Sequence, residues 1–249
     1  MVYIVVSVII LAASFLFAML GLGGGMIYTP TLIWAGFPVK EVAIPLGLLL
    51  NGLNTLLALI PFARKKLVDW KGGALMAFMA FVLAPLGAMS AKYVPVKTLL
   101  VLFAVMVIIA AFRMLVFAKN PEPETMMPLK KRLILGGITG AGAGFLGGLL
   151  GIGGGFIIAP ILMWMGYKTK EAAATTAFVV TFSSFSGYFG HMAGGAIDWK
   201  ITIPVILAVI IGSQAGASFM SGNINPKVVK IIYGIVLLLI AVKLITGVL

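Results

Sequence analysis

The sequence predicts an all-α, polytopic integral membrane protein built from two homologous halves. Three observations carry this. Of the 249 residues 62% are hydrophobic and only 10% charged, whereas a soluble domain is closer to half apolar and a quarter charged. The apolar residues gather into segments such as "LLVLFAVMVIIAAFRMLVFA", which reach the ~20 residues needed to span a bilayer. A glycine-rich stretch near the start, "GLGGGMIYTP" at 21–30, returns as "GIGGGFIIAP" at 151–160. A β-barrel would instead show alternating segments of about ten residues, and none are seen.

The apolar segments fall at 2–36, 41–62, 72–91, 97–118, 133–166, 171–190, 200–220 and 227–248, which allows up to ten helices. The first has no basic leader and no cleavage site, and reads as a membrane segment rather than a signal peptide. Short polar gaps separate the rest. The one long hydrophilic stretch, "KNPEPETMMPLKKR" at 119–132, is proline-rich and charged and reads as an exposed connector. This divides the chain into a first membrane repeat at 1–118, a linker at 119–132 and a second repeat at 133–249. The net charge of +12 lies mostly in the gaps. Such lysines report orientation and contact with membrane lipid, not nucleic acid. With no cysteine, disulfides and thiol chemistry are excluded.

Shifted by 130 residues, positions 21–43 match 151–173 at twelve of twenty-three places, among them Gly21, Gly23, Gly24, Gly25, Pro30, Trp34, Gly36, Lys40 and Glu41. "DWK" at 69–71 also recurs at 198–200. Internal duplication of this kind marks many secondary transporters. As one straight helix, residues 2–36 would be about 52 Å long against a core of about 30 Å, so the segment must break at its glycines. An interrupted crossing would make the halves parallel; a hairpin would invert them. Inversion places thirteen Lys and Arg on the linker side and five opposite, against eleven and seven for parallel halves. The charge rule therefore favours inverted repeats, with both termini outside.

A glycine run inside the membrane frees backbone N–H groups, tolerated only where protein or a water-filled cavity satisfies them. The helix resuming after each run points its positive end at the break, a ready anion site. Gly23, Gly24, Gly25, Gly153, Gly154 and Gly155 are the expected binding backbone. Glycines can also serve close packing alone, as expected of the ladder Gly136, Gly140, Gly144 and Gly148. The spacing does not fit a dinucleotide fingerprint. Among polar residues within apolar segments are Asn51, Asn54, Thr55, Thr175, Thr176, Thr181, Ser183, Ser184, Ser186, Ser213 and Gln214. The repeat shift sets Asn51 against Thr181 and Asn54 against Ser184, making these four the favoured side chains: neutral amides and hydroxyls bind an oxyanion without burying a fixed charge. His191, the lone histidine, reads as interfacial, with proton coupling as its other use. Glu41, Glu171, Asp69 and Asp198 lie at segment ends and suit capping or gating. Arg113 is placed to snorkel. No catalytic or metal constellation assembles from these residues, so no enzyme and no cofactor is expected.

The repeated pattern G-x-G-G-G-x-I-x-x-P-x-L-x-W-x-G, followed by "KEAAA" at 170–174, resembles the TauE/SafE family of sulfite exporters, also called the toluene-sulfonate uptake permeases. The likeness spans essentially the whole chain. It implies a multi-pass protein of the cytoplasmic (inner) membrane that moves a small anion, sulfite or an organosulfonate. Gly23 to Gly25, Pro30, Gly153 to Gly155 and Pro160 are its marked positions. The first half carries Pro45, Leu46 and Gly47 where the second has Thr175, Thr176 and Ala177. A coupling ion, proton or sodium, and the oligomeric state are left open. The rival expectation is a membrane scaffold or assembly factor whose glycines serve packing only.

Overall fold

A computed structural model describes residues 2–117, 122–191, 199–222 and 226–248. The sequence-predicted roles of Asp198 and of the Arg113 side chain lie outside what is described. The described chain is helical, with no strand: α1 (Val2–Met19), α2 (Gly25–Trp34), α3 (Ile44–Arg64), α4 (Trp70–Ser90), α5 (Val96–Phe117), α6 (Leu129–Leu150), α7 (Gly155–Trp164), α8 (Thr169–His191), α9 (Trp199–Ser221) and α10 (Pro226–Val248). A π-helical turn, Val39–Ala43, leads into α3. Among the described residues five helices are long and apolar enough to cross a membrane: α1, α3 with that turn, α4 with its 3-10 extension to Tyr93, α6 and α9. Ile138, Phe78, Phe112 and Phe189 are exposed, as lipid-facing side chains are, while Ala, Gly and hydroxyl residues line the helix contacts.

Both broken segments contain a ten-residue helix, only about 15 Å long and half the hydrocarbon thickness. The glycines make the break possible. Gly151, Gly153 and Gly154 take φ values of +76°, +70° and +81°, a region closed to most side chains. Gly154 folds back until a Cβ there would lie 2.3 Å from the Ala143 carbonyl. Ala143 lies well back from the end of α6, so α7 starts deep within the fold rather than at its rim.

Close contacts set the helix directions. Added Cβ atoms at Gly140, Gly144 and Gly148 would come within 2.2, 2.5 and 2.0 Å of the Met76, Ala80 and Ala84 carbonyls. Thus α6 runs alongside α4 in the same direction, and the expected ladder is its contact face. Gly73 faces Thr175 and Gly190 faces Pro85, so α8 runs with α4 as well. Since α6 and α8 share a direction, α7 between them must return: the second glycine-broken segment is a hairpin. On the other flank α1 runs with α9, Gly212 against Leu11 and Gly216 against Phe15. Here α9 supplies the glycines, which explains why α1 has none at the ladder positions.

In contrast, α3 and α8 cross antiparallel: Leu48 meets Gly187, Asn51 meets Ser184 and Thr55 meets Thr181. The principal packed pairs have counterparts under the 130-residue shift. Thus α4 on α6 corresponds to α9 on α1, and α4 on α8 to α9 on α3. Even a surface bond repeats. Lys40 Nζ donates to the Lys92 carbonyl (3.3 Å), and Lys170 Nζ donates to that of Gly222.

Candidate functional site

The two glycine breaks meet. A Cβ on Gly25 would lie 2.8 Å from Ile152 Cα, and one on Gly155 would lie 2.4 Å from the Leu22 carbonyl. Each short helix therefore begins against the loop that starts the other. This brings two positive helix ends together at depth.

Asn51, fully buried on α3, joins the two. Its Oδ1 accepts the Gly25 N–H (2.8 Å), capping α2 from outside the helix, while its Nδ2 donates to Ser184 Oγ on α8 (2.8 Å). Cβ atoms on Gly23 and Gly153 would strike this amide at 2.1 and 2.2 Å, so it is wedged between the two runs. Thr181 does not pair with Asn51: it donates to the Ala177 carbonyl (2.7 Å) and lies 3.0 Å from Thr55 Oγ1. Because α3 and α8 are antiparallel, residues related by the repeat meet crosswise. Hydroxyls also satisfy the carbonyls that the break exposes: Ser183 donates to Gly153 (2.7 Å) and Thr29, on α2, to Gly151 (3.2 Å).

Asn54 takes part in a chain that sequence reasoning missed. Its Nδ2 donates to Tyr28 OH (2.8 Å), Tyr28 donates to Ser14 Oγ (2.7 Å), and Ser14 donates to the Ile10 carbonyl (2.6 Å). Tyr28 is fully buried. The repeat shift does not flag it, since Ile158 stands at its counterpart. Asn54 Oδ1 and Thr176 Oγ1 are buried with no partner among the described residues.

The end of the fold near the linker carries a second cluster. Asp69 Oδ1 accepts the Gly72 N–H (2.8 Å) and caps α4; Oδ2 accepts from Tyr167 OH (2.8 Å) and pairs with Arg132. Arg132 also donates to Tyr167 (2.9 Å), and the Asp69 N–H donates to Thr175 (3.1 Å). Burial pushes the Asp69 carboxyl up, but the Gly72 N–H, the Tyr167 hydroxyl and the Arg132 charge outweigh it and hold the pKa below its ordinary 3.8. Burial pushes Tyr167 up to about 12. Glu122 of the linker accepts both the N–H (2.7 Å) and the hydroxyl (2.6 Å) of Thr169 at the start of α8. Asp69 is thus a cap, while Glu171 accepts the Lys168 N–H (3.1 Å). His191 Nε2 lies 3.0 Å from the Gly148 carbonyl and donates to it.

The helices and the joined glycine breaks define a polytopic membrane protein whose buried polar centre is assembled from both ends of the chain. A model of the sulfite exporter TauE/SafE family matches residues 6–244, and the chain belongs to that family. It is 28% identical to the probable membrane transporter protein YunE of Bacillus subtilis, across 98% of this chain and 97% of that one. It is 29% identical to the probable membrane transporter protein ORF9 of a Sinorhizobium species, over 89% and 84% of the two chains. For YfcA of Escherichia coli K12, also named a probable membrane transporter, the figures are 25%, 83% and 78%. No solved structure matches the chain. This is a membrane transporter, with a small-molecule substrate.

Proposed function

We propose that the protein is a secondary transporter of a small anion, sulfite or an organosulfonate, in the cytoplasmic membrane, and that the anion binds where the two glycine breaks meet. The observation that carries this is the contact between two helix N-terminal ends around Asn51, with only neutral hydrogen-bonding side chains placed there among the described residues. Backbone N–H groups beside Gly24 and Gly154, Asn51, Asn54, Thr181 and Ser184 would hold the oxygens. Charge-assisted bonds of this sort are roughly twice as strong as neutral ones, and a site without a fixed cation can still release its anion. The antiparallel crossing of α3 and α8 supports halves inverted about the membrane plane. Asn54 Oδ1, buried with no partner among the described residues, is free to accept from a donor or to ligate a sodium ion.

Uptake of labelled sulfite, sulfonates and carboxylates into proteoliposomes tests the reading. Saturable transport of a sulfur oxyanion is expected. If no anion moves, and none stabilises the purified protein, the polar centre is structural and the scaffold reading stands.

A further inference from the structure

A cavity of about 690 Å³ opens at the end of the fold opposite the linker, lined by Lys40, Glu41, Met89, Lys92, Phe189 and His191 among others. Its walls come from the turn before α3 and from the ends of α4 and α8, three places far apart in sequence. The Gly148 carbonyl that His191 engages lies three residues before Gly151, so one wall of the cavity is bonded to the last turn of α6 before the second glycine break. The lining holds two lysines and one carboxylate, Glu41; Lys40 is fastened to the Lys92 carbonyl, and Lys92 Nζ lies 4.7 Å from the Tyr93 ring centroid. At the repeat-related place the residues matching Lys92 and His191 are Gly222 and Pro61. Lys40 itself is repeated as Lys170, so what is peculiar to this end is the second lysine and the histidine.

We propose that this cavity is an anion-collecting vestibule: a small oxyanion of sulfonate or sulfite type is gathered by Lys40 and Lys92, with the His191 side chain on its floor, before passing to the glycine breaks. The proposal rests on the anion-transport reading above. A cleft lined by charge of one sign raises the local concentration of its counter-ion. The effect weakens with salt, because the Debye length shrinks from about 30 Å at 0.01 M to about 10 Å at 0.1 M. Two lysines at a mouth can thus speed capture without adding a fixed cation at the deep site.

The test uses the absence of native cysteine. Met89→Cys protein in neutral phosphatidylcholine vesicles, free of anionic lipid, is modified with a sulfonate-bearing methanethiosulfonate and with its trimethylammonium analogue. Any change in thiol ionisation affects both reagents alike, so their rate ratio reports the local potential. At low salt the ratio should exceed that of a small free thiol by about tenfold. It should fall toward the free-thiol value in Lys92→Gln and in Lys40→Gln/Lys92→Gln. Methanesulfonate, which reacts with neither the thiol nor the reagents, should also protect the thiol. A ratio equal to that of the free thiol, or one unmoved by both lysine changes, overturns the vestibule. Failure of the wild-type protein to transport any sulfur oxyanion would instead overturn the function proposed above, whatever the labelling ratio.

Discussion

Asn51 serves three elements through one amide: it caps α2, reaches α8 and fills the gap between the glycine runs. Asn51→Leu keeps the volume and leaves the Gly25 N–H and the Ser184 hydroxyl buried without partners, at roughly 1–3 kcal/mol for each. Thermal denaturation in detergent should show that loss, and sulfite uptake should fall at least tenfold. The glycines beside it differ from one another. Gly24 has φ −99°, so alanine is unstrained there, but its Cβ would meet the Tyr28 ring at 2.0 Å. Gly24→Ala should therefore abolish uptake by displacing Tyr28 from Asn54. In a double-mutant cycle with Tyr28→Ala, the two stability losses should be less than additive; strict additivity would show that the ring is not the obstacle. Gly154→Ala combines positive φ with a backbone clash and should lower the yield of folded protein as well as transport.

At the scale of elements, the α4–α6 seam offers a matched pair. Gly140→Ala drives a methyl into the Met76 carbonyl, whereas nothing lies within 4 Å of a Cβ on Gly142. The first should destabilise by about 1–3 kcal/mol. The second should be neutral or gain up to ~1 kcal/mol from helix propensity. Equal melting temperatures for the two would refute the seam. The Asp69 cluster gives a pH test. Its carboxyl is held below 3.8, so the stability it contributes is fully present above that value and drains away as pH falls through the lowered native value. Asp69→Asn should therefore be less stable than wild type at neutral pH, and the gap should close in strong acid. The glycine-broken helices were legible in the sequence because the same backbone need was met twice with the same residue. The Tyr28 chain was not, since its repeat partner is an isoleucine. Arg132 read as the last charge of a linker, and nothing in its spacing tied it to Asp69 or Tyr167. The vestibule joins chain segments that only the folded helices bring together.

For the whole molecule, the matching bonds of Lys40 and Lys170 place equivalent residues at opposite ends of the antiparallel α3 and α8. Single cysteines at Lys40 and Lys170 should therefore label from opposite sides of the membrane, with the linker end cytoplasmic. Labelling from one side would mean parallel halves. The apolar segments and the repeated glycine pattern were visible in the sequence; the return of α7 follows from the shared direction of α6 and α8, which sequence spacing does not report.

The hydroxyl-rich character of α8 has a consequence for biosynthesis. The helix is 23 residues long, yet it is not among the five apolar enough to cross a membrane unaided. Several of its hydroxyls are accommodated by its own carbonyls, as at Thr181 and Ser186, by the glycine break through Ser183 and by α3 through Ser184. During synthesis α3 emerges first, carrying the Asn51 amide that Ser184 will engage. The later helix leaves the insertion machinery as a poor solute for lipid and a good one for a surface already waiting beside it. Its entry into the bilayer is therefore expected to accompany assembly, and Asn51→Leu should be felt first as a failure of α8 to stay inserted, read by labelling of a cysteine placed in α8.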